Sequence, residues 1–232
     1  MKGFLYKNLL LYRPSLTFIG CMLIISSLFV IILSNMLNSV GMQGDTAIYI
    51  ILFFCLFWFS GFFNGELFKQ DESRVVNSFI ISSPKGSKRH IASKYIIIFG
   101  IYLITFLVCF GDSFISNMEL NNKGLILIFF FSINLFFSAV SIPFYVRFGA
   151  DKGNGIKFIP LAILAFALVI YLLFGDISFM FEEDVVMAFL NFISGSSVET
   201  VFALSPAVAI VLYLISYKIS SALYIKGAEN YE

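Results

Sequence analysis

Residues 47–65 read AIYIILFFCLFWFSGFFNG, and residues 66–94 read ELFKQDESRVVNSFIISSPKGSKRHIASK. The first run holds no Asp, Glu, Lys or Arg, and the second opens on Glu66, Lys69, Asp71, Glu72 and Arg74. A helix that crosses the ~30 Å hydrocarbon core of a bilayer needs about 20 apolar residues. The first run is therefore a membrane span, and the second is the polar segment that ends it. Scanning outward for the same signature gives five further runs, 16–37, 95–115, 125–146, 158–174 and 201–223. The third span in chain order carries Asp112 near its end. The last carries Lys218, whose aliphatic stem lets the ammonium reach the interface. The runs are continuous rather than alternating, which excludes a β-barrel. The first is too long, and followed by too many others, for a cleaved signal peptide. These residues predict an all-α integral membrane fold of six transmembrane helices, in one transmembrane domain over 1–232.

Composition agrees. Hydrophobic residues make up 59% of the 232 and charged residues 12%, against about 45–50% and about 25% in a soluble domain. Mean hydropathy is +0.94. So little charge excludes a disordered protein, a nucleic-acid binder and an ordinary cytosolic enzyme. Cys21, Cys55 and Cys109 all lie in apolar runs without metal-ligand spacing, and they read as small buried hydrophobes.

Basic residues set the orientation, because loops rich in Lys and Arg stay in the cytoplasm. All but one of the 15 Lys and Arg residues fall before span one, between spans two and three, between spans four and five, or at the C-terminal end. The exception is Lys123. The other loops collect Asp45, Asp112, Glu119, Asp176, Glu182, Glu183, Asp184 and Glu199. With six spans, both termini are expected in the cytoplasm.

Several chemistries lack their residues. Away from their ends the spans carry no ionisable group, which argues against a proton- or ion-coupled transporter. Ser132, Asn134, Ser138 and Ser141 are the main polar residues of the fourth span, suited to hydrogen bonds between helices. The one histidine, His90, falls in a basic cluster, so a Ser–His or zinc site inside the membrane is not available. Glu182-Glu183 is similar to the diacidic motif of a membrane-protease family, but Met187 and Ala188 stand where that motif needs an arginine. The acidic cluster fits the start of an outer helix running to about Ile193. No G-x-x-x-x-G-K-[ST] occurs, so the chain has no phosphate cradle of its own.

The segment 66–94 is the most informative. Phe68, Val75 and Phe79 recur at helical spacing, with Val76 and Ile80 extending the stripe, and predict a short amphipathic helix. Ser83-Pro84 then signals a new helix start, whose first turns carry Lys85, Lys88, Arg89, His90 and Lys94 before span three. A basic collar on anionic lipid accounts for the cationic half. An amphipathic helix ahead of it points further, to docking of a soluble partner. The inner segment 147–157, with Gly149, Gly153 and Gly155, reads as a tight loop.

On these residues the chain resembles the membrane subunit of an ABC-2-type exporter. The start Met1-Lys2 … Lys7-Asn8-Leu9 is similar to the opening of that family. So are Lys69-Gln70-Asp71-Glu72, Pro84, Ser87-Lys88-Arg89 and Ser93-Lys94-Tyr95 in the loop, with departures at Ser83, Lys85 and Gly86. The resemblance implies a permease half that forms a homodimer or heterodimer in the bacterial plasma membrane and binds an ABC ATPase subunit. ATP and magnesium would sit in that partner, and this chain would hold no cofactor. It implies a coupling helix in 66–94, with Phe68, Asp71, Glu72, Arg74, Val75, Phe79, Lys88 and Arg89 as the docking residues. It also implies a substrate path along span two, where Phe53, Phe54, Phe57, Trp58 and Phe62 crowd together. Size and phenylalanine content are similar to subunits that export amphipathic peptides such as phenol-soluble modulins, or that confer immunity to antimicrobial peptides. A second reading stays open at this point, a membrane immunity protein that sequesters a toxin or peptide without transport.

Overall fold

The computed structural model describes residues 2–40, 46–62, 64–69, 80, 86–115, 123–153, 155, 166 and 196–229. These residues form seven named helices and no strand. They are α1 (Lys2–Leu11), α2 (Arg13–Val40), α3 (Thr46–Phe62), α4 (Asn64–Lys69), α5 (Gly86–Ile115), α6 (Lys123–Phe148) and α7 (Ser196–Glu229).

Among the described residues, four stretches are long and apolar enough to cross a membrane: Arg13–Met36, Gly86–Phe114, Gly124–Phe148 and Thr200–Lys226. They cover the first, third, fourth and sixth expected spans. Helix α3 covers the second with 17 residues, the short end of the range for a crossing helix. The expected fifth span, 158–174, and the outer helix near Ile193 lie outside the described residues.

Local chemistry explains the ends of these helices. The amides of Tyr12 and Leu16 donate to the carbonyls of Asn8 and Tyr12 at 2.9 and 3.0 Å, so α1 and α2 are nearly continuous. The hitch between them falls two residues before Pro14, which has no N–H to give and whose ring crowds the carbonyl four residues back. Helix α5 is described from Gly86, and the Ser83-Pro84 start signal lies outside the described residues. Its 30 residues measure about 45 Å at 1.5 Å per residue, more than the hydrocarbon core is thick.

Helix α5 is the hub of the bundle, in contact with α1, α2, α3, α6 and α7, while α6 and α7 pack most extensively on each other. The main core joins Tyr12, Leu67, Phe68, Ile91, Ile98, Tyr102, Leu135, Ile142, Tyr145 and Tyr213. A second core joins Val30, Phe53, Phe57, Cys109 and Leu127. The outward faces of α2 and α7 are apolar, with Ile24, Ile25, Leu28, Leu204, Val211 and Leu214 all exposed. Lipid tails solvate such faces as well as a protein core does.

Two expectations need correction. Of the three cysteines only Cys109 is buried, while Cys21 and Cys55 are exposed on the outside of the bundle. An apolar run marks a span but does not say which side of it faces inward. The charged opening of 66–94 is also not all exposed loop. Asn64, Gly65, Leu67 and Phe68 are buried within α4, leaving Glu66 and Lys69 on its outer side.

Candidate functional site at the basic end of the bundle

Helix α5 enters the bundle with residues of alternating fate. Lys88 and Arg89 are exposed, whereas His90, Ile91, Ser93, Lys94 and Tyr95 are buried. Successive helical residues point about 100° apart, so neighbours in sequence meet different surroundings. His90 lies among aromatic rings, with Phe4 of α1 at 5.8 Å and Tyr224 of α7 at 6.0 Å.

Ser93 and Asn8 join α5 to α1. The Asn8 side-chain amide donates to Ser93 Oγ at 2.7 Å, and Ser93 donates to the carbonyl of His90 at 2.7 Å. Nearby, burial pushes the Tyr12 phenol well above its ordinary range, with Tyr102 and Glu66 adding to the effect. That hydroxyl stays protonated.

Lys94 points another way. Its side chain is fully buried, and Nζ donates to the carbonyl of Leu67 at 2.7 Å. The ammonium lies 4.2 Å from the centre of the Phe68 ring. Leu67 is in the last described turn of α4, at the end where the helix dipole is negative. Lys94 therefore caps α4 from across the bundle, helped by the ring face. These contacts offset the cost of burying a charge, which is severe when no partner is supplied.

Tyr95 points to α7. Its hydroxyl shares hydrogen bonds with Ser216 at 2.7 Å and Ser220 at 2.9 Å, and Tyr213 donates to the Tyr95 carbonyl at 2.8 Å.

On the far side of α4, Phe68 packs on Tyr145 of α6 at 5.6 Å, and Lys69 pairs with Asp151 at 3.5 Å. That ion pair is largely exposed and worth at most about 1 kcal/mol. Asp151 lies in a short helical stretch, 150–153, set off from α6 by a break at Gly149. Gly149 has φ of 82°, in the left-handed region open to glycine. Gly153 lies so close to Tyr145 that an added Cβ would overlap the ring. The tight loop expected at 147–157 needs correction: among the described residues the helix breaks only at Gly149, and 150–153 are helical again.

Deeper in, Asn64 Nδ2 donates to Tyr102 Oη at 2.6 Å and Ser138 Oγ at 2.9 Å, and those two hydroxyls are 2.6 Å apart. This triad ties the start of α4 to α5 and α6. Asn64 Oδ1 has no hydrogen-bond partner among the described residues. Ser132 accepts from Ser205 of α7 at 3.0 Å. Asn134 and Ser141 instead donate to carbonyls of their own helix. Toward the opposite end, Asp112 is buried within α5 and accepts from Ser27 of α2 at 2.9 Å.

The residues singled out from sequence separate into three groups. Phe68 is buried against Lys94 and Tyr145, whereas Lys88 and Arg89 are exposed in the first turns of α5. Asp71, Glu72, Arg74, Val75 and Phe79 lie outside the described residues, as does the side chain of Phe62. In α3, Phe53 and Phe57 are buried in the second core. Phe54 is exposed, 5.9 Å from Trp58 and 5.7 Å from Phe130, and Trp58 is half-buried against Phe137 at 6.3 Å. Sequence reasoning missed the Lys94 cap and the Asn64 triad. The one available signal for Lys94 was a lysine followed directly by an unbroken apolar run.

The described residues contain no group of acidic, His and Cys side chains able to hold a metal ion. Apolar helices of crossing length joined at a basic end make this a multi-pass membrane protein. The chain belongs to the ABC-2 family of transporter proteins, whose profile matches residues 3–225. No curated protein and no solved structure matches it.

Proposed function

We propose that the chain is the membrane subunit of an ATP-driven exporter, with six spans and both termini in the cytoplasm. A separate ABC ATPase docks on 66–94 and the exposed Lys88 and Arg89. Two membrane subunits, identical or sister chains, flank the path. The family match over nearly the whole chain carries this reading, and the absence of a nucleotide loop in the sequence supports a separate ATPase. ATP binding and hydrolysis in the partner push on the docking segment, and the two membrane subunits rock in response.

The substrate is amphipathic or hydrophobic and of the peptide class. Support comes from the aromatic surface of Phe54 and Trp58, continued on α6 by Phe130 and Phe137. With Phe53 and Phe57 committed to the core, the path narrows to these residues. A double reversal, Lys88→Glu with Arg89→Glu, tests the docking role. Both side chains are exposed, so membrane insertion is retained. The expected result is loss of ATPase stimulation in liposomes, and unchanged stimulation counts against the docking role.

A further inference from the structure

Ser93, Lys94 and Tyr95 are consecutive, buried and polar, and each grips a different helix. Ser93 holds Asn8 of α1, Lys94 holds the Leu67 carbonyl of α4, and Tyr95 holds Ser216 and Ser220 of α7. The turn of about 100° per residue lets one short stretch of α5 face three neighbours. Of the three, α4 leads directly into the segment 70–85. It is also braced on its other side by Tyr145 and Asp151. Segment 70–85 joins α4 to α5, so α4 is one of the two helices through which a push on it can enter the bundle.

We propose that Ser93, Lys94 and Tyr95 are positioning residues for energy coupling, fastening α1, α4 and α7 to one point on α5 so that they move as a single body. The inference rests on the exporter reading, and it adds the route by which force leaves the docking segment. Lys94 is the critical fastener. A neutral side chain of the same length would fill its space, but only a cation caps the carbonyl end of α4 and holds the Phe68 ring together.

The test uses the full chain with its ATPase in liposomes. Spin labels go on Glu66→Cys in α4 and Lys218→Cys in α7, both exposed, after Cys21, Cys55 and Cys109 are replaced by alanine. The α4–α7 distance is measured without nucleotide and with ATP–vanadate trapped, and ATPase stimulation is read on the same samples. The wild-type distance is expected to stay constant through trapping. In Lys94→Met it is expected to change on trapping, while stimulation falls about tenfold, the loss of one charge-assisted hydrogen bond. Lys94→Arg restores both. Tyr95→Phe removes only a hydroxyl, so it tests the α7 grip with the same labels if Lys94→Met does not fold. A wild-type distance that changes on trapping overturns the single-body claim. A Lys94→Met sample that behaves as wild type overturns the role of Lys94. If the wild-type chain stimulates no ATPase, the exporter reading itself fails at that first step and takes this inference with it.

Discussion

A charge, a ring and two glycines decide the geometry at the smallest scale. Lys94 looks in sequence like one more member of a basic cluster with Lys88 and Arg89. In the structure it is buried and caps α4, while its neighbours stay in contact with water. The distinction was not legible, because it depends on where a short helix ends across the bundle. The glycines of 147–157 read in sequence as one tight loop, but only Gly149 breaks the helix, while Gly153 is helical and sits against the ring of Tyr145. Gly153→Ala is expected to lower stability by about 1–3 kcal/mol through overpacking. Gly149→Ala should cost about 1–2 kcal/mol through its left-handed backbone. Thermal unfolding in detergent, followed by fluorescence-detected gel filtration, measures both. The cysteines give a second check. Maleimide labelling of the folded protein in detergent should modify Cys21 and Cys55 ahead of Cys109, which is sealed in the second core. Equal rates at all three would contradict the packing of α2, α3 and α5.

Helices were easier to read than contacts. The long apolar runs at 16–37, 125–146 and 201–223 fall inside α2, α6 and α7, which extend past them by two to six residues at each end, because an apolar run marks the membrane layer and not the helix end. Helix α4 was missed. Its residues, Asn64 to Lys69, straddle the polar boundary that was read as the end of span two, and its burial comes from α5 and α6 rather than from any pattern of its own. The amphipathic stripe through Phe68, Val75 and Phe79 began inside this buried helix, so Phe68 serves packing against Lys94 and Tyr145. The expectation that serines of the fourth span join helices holds for Ser132 and Ser138, whereas Ser141 bonds back to its own helix. Tyr102→Phe removes one corner of the Asn64 triad. It is expected to cost about 0.6–2 kcal/mol, the range for hydrogen bonds between membrane helices, with no change in helix content by circular dichroism.

For the whole molecule, the charge distribution and the apolar runs together specify a multi-pass helical protein. The packing places a hub helix, α5, between an exposed basic end and lipid-facing outer surfaces. Orientation is argued from the bias of Lys and Arg alone, so it has its own test. In a cysteine-free chain in intact cells, an impermeant maleimide should label Asn121→Cys and leave Lys88→Cys unlabelled until the membrane is opened. The reverse pattern would invert the topology and remove Lys88 and Arg89 from reach of any cytoplasmic partner. The central claim is that this chain works through a separate ATPase, and purification tests it most directly. The tagged protein is isolated in mild detergent from its native host, and the chains that accompany it are identified and counted. A stoichiometric ABC ATPase, released by Lys88→Glu with Arg89→Glu, is the predicted result. A lone oligomer with no nucleotide-binding chain would contradict the account.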